Sequence, residues 1–520
     1  MALWSEGYFT DTEYTDGYFR ELSPLWLNLN LTLAGYAIPC AGGGANISPT
    51  KPICYLELAF GRGASITAHA VTVEGEYVGT DFNPTQVAMA QEYVVSDNIT
   101  LYDDSFKELL ERFSHTQPEF DYICLHGIFS WISAENRQII LEIIQRFLKV
   151  GGVVYNSYNC APGWSSKMPS RELLKLHHDL HSSAQSNVES SVKESLGFLN
   201  NLLALNPAFA GSNAPANNAL MESFEKLPIT YIAHEYFNGN WDCFYFYQVA
   251  ELMESAKCSF ATSAVVMDQI DTCNFSEEAL AFLGGIQNAT FKEQLKDYFR
   301  NTQFRKDIFV KGARRISAKE KAQRLLNTQF MLTDSHKNFD YKVPCGRGEW
   351  NLNKEACDSI FKALEQDSYA PKTLQSIMES CKINFNDTMA VLLALIQKSL
   401  VLPAQEVSAE IAQKAKAFNH NTLSKNLNTD TSYWIAAPRV ASAIAMNNVD
   451  KIILYAYLNE GKKESELINF ALQTLKNKGQ GIIKEGKTLS SDAENKAELK
   501  EIVKEFLAKT PLYKALGIVE

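Results

Sequence analysis

Apolar and polar positions change period in a regular way over the first 160 residues. Residues 53–58 form an apolar run interrupted near its end by Glu57, and small residues from Ala59 to Ser65 follow. This predicts a buried parallel strand, a tight turn and a helix start. A second apolar run, 76–80, ends in Asp81, and a third, 99–102, ends in Asp103 and Asp104. A fourth covers 120–127 and carries His126 and Gly127 at its end; a fifth covers 153–158. Between the fourth and fifth, Ile139, Ile140, Ile143, Ile144, Phe147 and Leu148 recur at helical spacing, closed by Gly151 and Gly152. That spacing predicts an amphipathic helix lying on a sheet. Asn83-Pro84 opens another helix, reaching to about Val95, with proline in its first turn. Strands alternating with helices predict an α/β fold on a parallel sheet.

The remainder is less regular. Tyr8, Tyr14, Tyr18 and Phe19 make an aromatic N-terminal arm, residues 23–31 read as a helix covering the first domain, and 41–46 as a flexible joint. Residues 165–227 are helical and polar around a loose loop at 206–218, which predicts an insertion acting as a lid or dimer element. Residues 231–266 predict a strand and a loop near the crevice, then a helix and another strand. Residues 304–312 read as a strand leading into a middle domain. Residues 369–405 have a winged-helix pattern: Leu374, Ile377 and Met378 on one helix, Met389, Leu392, Leu393 and Ile396 on a second capped by Asn386 or Asp387, and 400–402 as a wing strand. The domains expected are 1–50 (arm and helix), 51–165 (core), 166–230 (insertion), 231–300 (completing the core), 301–406 (middle) and 407–520 (C-terminal).

Length and composition narrow the picture. At 520 residues the chain exceeds one core. A net charge of −11 argues against a polyanionic partner, and the winged-helix region 355–405 carries four lysines against six acids, so no nucleic acid is expected. No apolar run has membrane-spanning length, and the start lacks a basic region followed by an apolar core. Ten cysteines without a C-x-x-C pair fit reduced thiols in a cytoplasmic protein. His177 and His181 share a helix face without a third ligand, which reads as a solvated face; no metal is expected.

Gly61 and Gly63 let the first turn approach a ligand, and the following helix start offers free amides. Asp81 lies 24 residues beyond Glu57, about one strand–helix–strand unit, where an acid accepts hydrogen bonds from a ribose. A dinucleotide dehydrogenase uses such an acid too, but its fingerprint needs a third glycine where Ile66 stands. The pattern Glu57-x-x-x-Gly61-x-Gly63 resembles motif I of class I S-adenosylmethionine-dependent methyltransferases, with Ala59 where that family often has glycine. The resemblance implies a Rossmann-like sheet and a cofactor site of Glu57, Ala59, Gly61 and Gly63 on the first turn, and Asp81 and Phe82 after the second strand. Asp103, Asp104 and Ser105 follow near the adenine, with His126 and Gly127 at the fourth strand. Asp104 would also fill a helix N-cap.

Three further stretches narrow the resemblance: His126 to Trp131, Ser157 to Trp164, and His234 to Asn238 with Trp241. Together they resemble bacterial methyltransferases carrying a methyltransferase regulatory domain, a group that includes the rickettsial outer-membrane-protein lysine methyltransferases. The resemblance runs over nearly the whole chain. It implies a multi-domain, homodimer-capable enzyme with S-adenosyl-L-methionine as cofactor, C-terminal α+β domains, and lysine side chains of a protein as acceptors. Transfer to lysine needs a desolvated, aligned, neutral amine. Tyr158, Asn159, His234 and Tyr236 are the catalytic candidates, with Trp164 beside them in an aromatic slot; domain-interface packing is the alternative role for each. The rival readings are a small-molecule methyltransferase and a non-enzymatic S-adenosylmethionine-binding interaction protein. The intact set Glu57, Gly61, Gly63 and Asp81 favours an enzyme, and the large C-terminal half favours a macromolecular acceptor.

Overall fold

The computed structural model describes residues 17–39, 47–181, 187–212, 214–429 and 433–520. Tyr8, Tyr14 and the joint at 41–46 lie outside the described residues. In the described chain, α1 (Pro24–Leu33) precedes β1 (Ile53–Leu58), α2 (Ala64–Ala70), β2 (Gly75–Thr80), α3 (Pro84–Gln91), β3 (Ile99–Tyr102), α4 (Phe106–Thr116), β4 (Phe120–Leu125), α5 (Ala134–Phe147) and β5 (Leu148–Asn159). Two later strands, β6 (Cys258–Ser263) and β7 (Phe304–Lys311), complete a seven-stranded sheet in the order β3-β2-β1-β4-β5-β7-β6. β1 to β5 run parallel, and β7 lies antiparallel between β5 and β6. This is the α/β, Rossmann-like architecture expected.

Alternation along the strands sorts the two faces. Tyr55, Tyr77, Tyr122 and Tyr155 pack into one core with the residues of α1. Leu56, Ile123, Val154 and Phe309 face the other, with Leu109, Phe113, Ile140 and Ile144 of α4 and α5. Both faces are covered, so the central strands read as unbroken apolar runs. α1 is buried all round; Asn28 accepts from the Tyr122 hydroxyl at 2.9 Å and donates to the Ile47 carbonyl, and Trp26 donates to the Ala264 carbonyl at 2.8 Å.

Several elements depart from expectation. The strand at Phe304–Lys311 belongs to the main sheet, not to a middle domain: Asp307 pairs in register with Asn156, and Val310 with Val153. The expected strand near residue 231 is a helix, Ile229–Tyr236. Gly151 and Gly152 lie inside β5, because the preceding helix ends at Phe147. Asn384, and neither Asn386 nor Asp387, caps the helix Phe385–Gln397, accepting from the Asp387 amide.

The insertion consists of the helices Met168–His181, Val188–Ala204, Ala208–Ser212, Ala214–Phe224 and Ile229–Tyr236 around a core including Leu174, Val192, Leu199 and Ile232. His177 bonds Ser195 at 3.0 Å and stacks on Phe198. Further on, Val401–Ala404 pairs with Gln329–Leu332 as a buried strand, not as a projecting wing. The C-terminal part braces the back of α2 and α3. Gln405 donates to the Thr72 carbonyl at 2.6 Å, the Tyr18 hydroxyl bridges His69 and Ser442, and Tyr93 stacks on Tyr433. Among the described residues no helix is long and apolar enough to cross a membrane.

Candidate functional site

The carboxyl ends of β1, β2 and β4 open onto one cleft enclosing about 940 Å³ of space continuous with solvent. Its floor is the turn after β1. Ala59 sits there at φ 53°, in the left-handed region, followed by Gly61 at φ 58°. Left-handed geometry is costly for alanine, which gives a physical reason why glycine suits this position. Gly63, at φ 75°, serves packing instead, since a Cβ there would stand 2.5 Å from the Ala90 side chain. It permits close approach to α3 and does not line the cleft.

Asp81 holds the crest of β2. One carboxylate oxygen accepts from the Gly61 amide at 2.9 Å and the other from the Asn83 amide at 3.0 Å. Burial nevertheless pushes its pKa up to about 7, against those two bonds. Asn83 in turn caps α3, accepting from the Thr85 amide. Glu57 is buried beneath the cleft and is not among the residues lining it. Its carboxylate accepts from the Tyr55 hydroxyl at 3.2 Å, and burial raises its pKa to about 8.

Phe82, Asp104, Ser105 and Phe106 form the side near β3, and Asp103 is exposed away from it. The expected cap at Asp104 falls instead to Ser105, which makes a capping box with Glu108. Asp104 is occupied by Arg112, through bonds of 2.6 and 2.9 Å to Nε and Nη2. At β4, His126 Nδ1 meets the Tyr155 hydroxyl at 2.8 Å and the ring lies against Phe19 with centroids 3.8 Å apart. Burial lowers its pKa to about 3, so it is neutral at physiological pH. The Gly127 amide donates to Ser157 at 2.8 Å.

The lining also contains residues that the sequence reading did not place at the site: Asn83 and Gln86 beside Asp81, and Ile128, Trp131, Ile132, Ser133, Asn136 and Asn240 on the opposite wall. Ile128 and Trp131 belong to the family-like stretch from His126 to Trp131, which was the available signal. Asn240 arrives from more than a hundred residues away. Arg137 fixes this wall: its Nη1 donates to the Phe129 and Ile132 carbonyls, and its Nη2 pairs with Asp242. The Asp242 amide donates to the Ser130 carbonyl at 2.7 Å.

None of the four catalytic candidates lines the cleft. Tyr158 is fully buried and donates to Asp307 at 2.6 Å. Asn159 donates to Glu235 at 3.4 Å. His234 is buried, and Tyr236 packs with Trp164 and Phe224 in the core of the insertion. Burial raises both tyrosines further above their ordinary values and keeps them as phenols. Among the described residues no group of three or more His, Cys, Asp or Glu is placed to hold a metal ion.

Comparison with known proteins places these features. Residues 56–152 match the family model described as a methyltransferase domain, and residues 228–311 match the predicted methyltransferase regulatory domain. The second match contains β6, β7, Asn240 and Asp242. The chain is 35% identical to the uncharacterized protein sll1526 of Synechocystis, over 99% of each chain. It is 29% identical to the uncharacterized protein RP028 of Rickettsia prowazekii, over 40% of this chain and 82% of that one. PKMT2 from Rickettsia typhi, solved in complex with AdoHcy, shares the fold with a TM-score of 0.68 at 18% identity, over 97% of this chain and 99% of that one.

Glu57 gives a direct test of how this site is built. Between the ordinary carboxylate range and about pH 8, the folded protein keeps a proton that the unfolded chain has released. The group therefore lowers stability increasingly as pH rises through that window. Glu57→Gln removes the ionisation and keeps an acceptor for Tyr55. Its stability relative to the parent, read by urea denaturation without ligand, is expected to rise from pH 5 to pH 8 and then level off. A pH-independent difference would show that Glu57 ionises normally.

Proposed function

The chain belongs to one family with Synechocystis sll1526 and is a class I S-adenosylmethionine-dependent methyltransferase with a regulatory domain; from that premise we propose that it methylates lysine side chains of a protein. The observation that carries this reading is the apolar wall of Ile128, Trp131 and Ile132, met by Asn240 of the regulatory domain. An aliphatic stem with a single polar tip suits such a wall. The full-length likeness in fold to R. typhi PKMT2 supports the same acceptor class.

The residues present fit the cofactor. Asp81 is fixed by two amides at the cleft floor and is suited to a ribose diol; Glu57 lies buried beneath that floor, bonded to the Tyr55 hydroxyl, and sets the polarity of the turn above it. Asp104, Ser105 and Phe106 stand on the adenine side. When bound, S-adenosylmethionine supplies a methyl group activated by a sulfonium. Ile128, Trp131 and Ile132 exclude water from the acceptor amine, which favours its neutral, nucleophilic form. His126, neutral and held by Tyr155, is too weak a base to take the amine proton near pH 7, so the proton leaves to solvent.

Protein, and not nucleic acid, is the partner in this reading, and the net charge of −11 supports that. The reading includes a homodimer formed through the helical insertion, where Leu176, Leu180 and Leu205 are exposed. Its setting is cytoplasmic, in keeping with the free thiols of all nine described cysteines.

Two measurements test the proposal. Asp81→Ala is expected to stay folded and to weaken S-adenosylmethionine binding by about 2–3 kcal/mol, the worth of a charge-assisted bond; unchanged affinity by calorimetry would remove Asp81 from the site. Labelled methyl groups are expected to enter lysines of a protein acceptor, with a rate that rises with pH through an apparent pKa well below the ~10.4 of free lysine. Undiminished labelling of protein whose lysines have been chemically dimethylated, or label confined to small molecules, would overturn the lysine reading.

A further inference from the structure

Away from the cleft, two half-buried thiols meet at one joint of the molecule. Cys273 belongs to the short helix Asp271–Asn274, inside the regulatory domain. Cys345 ends the first strand of a hairpin formed by Lys342–Cys345 and Gly348–Asn351, beyond that domain. The turn of the hairpin, Gly346 and Arg347, lies directly on the helix. The Arg347 amide donates to the Cys273 carbonyl at 3.2 Å, and the Gly346 amide donates to Asn274 Oδ1 at 2.9 Å. A Cβ on Gly346 would stand 2.8 Å from that same oxygen, so a larger residue would push the hairpin off the helix. Asn274 is held from the other side, donating to the Met267 and Ile270 carbonyls.

These contacts make the two thiols neighbours although they are far apart in sequence. Burial raises the Cys273 thiol above its ordinary value and the Cys345 thiol raises it further, while the Thr272 hydroxyl and the Arg347 guanidinium act the other way. Both thiols sit at the margin of the main core and not inside it, so a small oxidant reaches them. Among the described cysteines, Cys160 and Cys243 are also close enough to act on each other, but Cys160 is fully buried and its thiol is bonded to Asp297 at 3.5 Å.

We propose that Cys273 and Cys345 form a reversible disulfide, a modification site that clasps the regulatory domain to the hairpin of the following domain. Hydrogen peroxide is the oxidant. One thiolate attacks a peroxide oxygen, breaking the O–O bond; it becomes a sulfenic acid, and the departing hydroxide takes up a proton to leave as water. The second thiol then attacks the sulfenic sulfur, the S–S bond forms, and the sulfenic oxygen leaves as a second water. The two thiols together lose two electrons and two protons, and the peroxide is reduced to water. A low-molecular-weight dithiol reverses the step by exchange.

The clasp agrees with a cytoplasmic setting, where the disulfides that do form are transient. It closes a long loop of chain, which lowers the entropy of the unfolded state and stabilises the oxidised protein against unfolding. Neither thiol lines the cofactor cleft, so the inference stands apart from the choice of methyl acceptor.

The test uses the full-length, fully reduced protein. After treatment with hydrogen peroxide the remaining thiols are blocked with N-ethylmaleimide, and the digest is mapped by mass spectrometry. The peptides carrying Cys273 and Cys345 are expected to be joined to each other, and to separate when dithiothreitol is added before digestion. The oxidised protein is expected to unfold at higher urea than the reduced protein, a gain that Cys273→Ser and Cys345→Ser each abolish. Should either variant fail to fold, the peptide map of the parent decides alone. The inference is overturned if Cys273 and Cys345 are recovered blocked or singly oxidised under peroxide that oxidises the half-buried Cys54 and Cys243, or if their pairing is no more frequent in the folded protein than in the chain unfolded by urea.

Discussion

The hold of two backbone amides on the Asp81 carboxylate organises this protein. Gly61 belongs to the turn after β1 and Asn83 to the start of α3, so one side chain ties both loops at the cleft floor. Beside the tie, Ala59 and Gly61 take left-handed φ, and Gly63 seats tightly on Ala90. It also has a cost. Asp81 and Glu57 are buried, and their pKa values stand near 7 and 8. In both acids burial disfavours the charged form, a condition that recurs at functional sites.

The cleft is built from two parts of the chain. The core supplies its floor and the segment 127–133, while the regulatory domain supplies Asn240 and the Asp242 partner of Arg137. The same domain contributes β6 and β7, so it completes the sheet as well as the site. Behind the cleft the C-terminal part holds α2 and α3 through Gln405, Ser442 and Tyr433. The C-terminal part thus packs against elements of the core without lining the cleft.

The five parallel strands were legible because burial on both faces leaves continuous apolar runs, and Asp81 because it ends one of them. β7 was read as a strand, but its place in the main sheet was missed because its partner β5 lies far back in the chain; Arg305 and Asp307 are buried there and bonded to each other at 2.8 Å. The Ser105–Glu108 capping box stands in the sequence, but Asp104 looked the better cap; its side chain is drawn away by Arg112. Tyr158 and Asn159 sit in a stretch that resembles the family in sequence, yet their place in the fold is the joint between sheet and insertion. The Arg137–Asp242 pair spans 105 positions, beyond the reach of any local pattern.

The most direct test is a crystal structure of the protein with S-adenosylhomocysteine. The account predicts both ribose hydroxyls on Asp81, the amino group on the Glu57 side of the cleft, and the sulfur facing Ile128 and Trp131. A ligand bound away from Asp81, or one whose sulfur faces away from that wall, would contradict it.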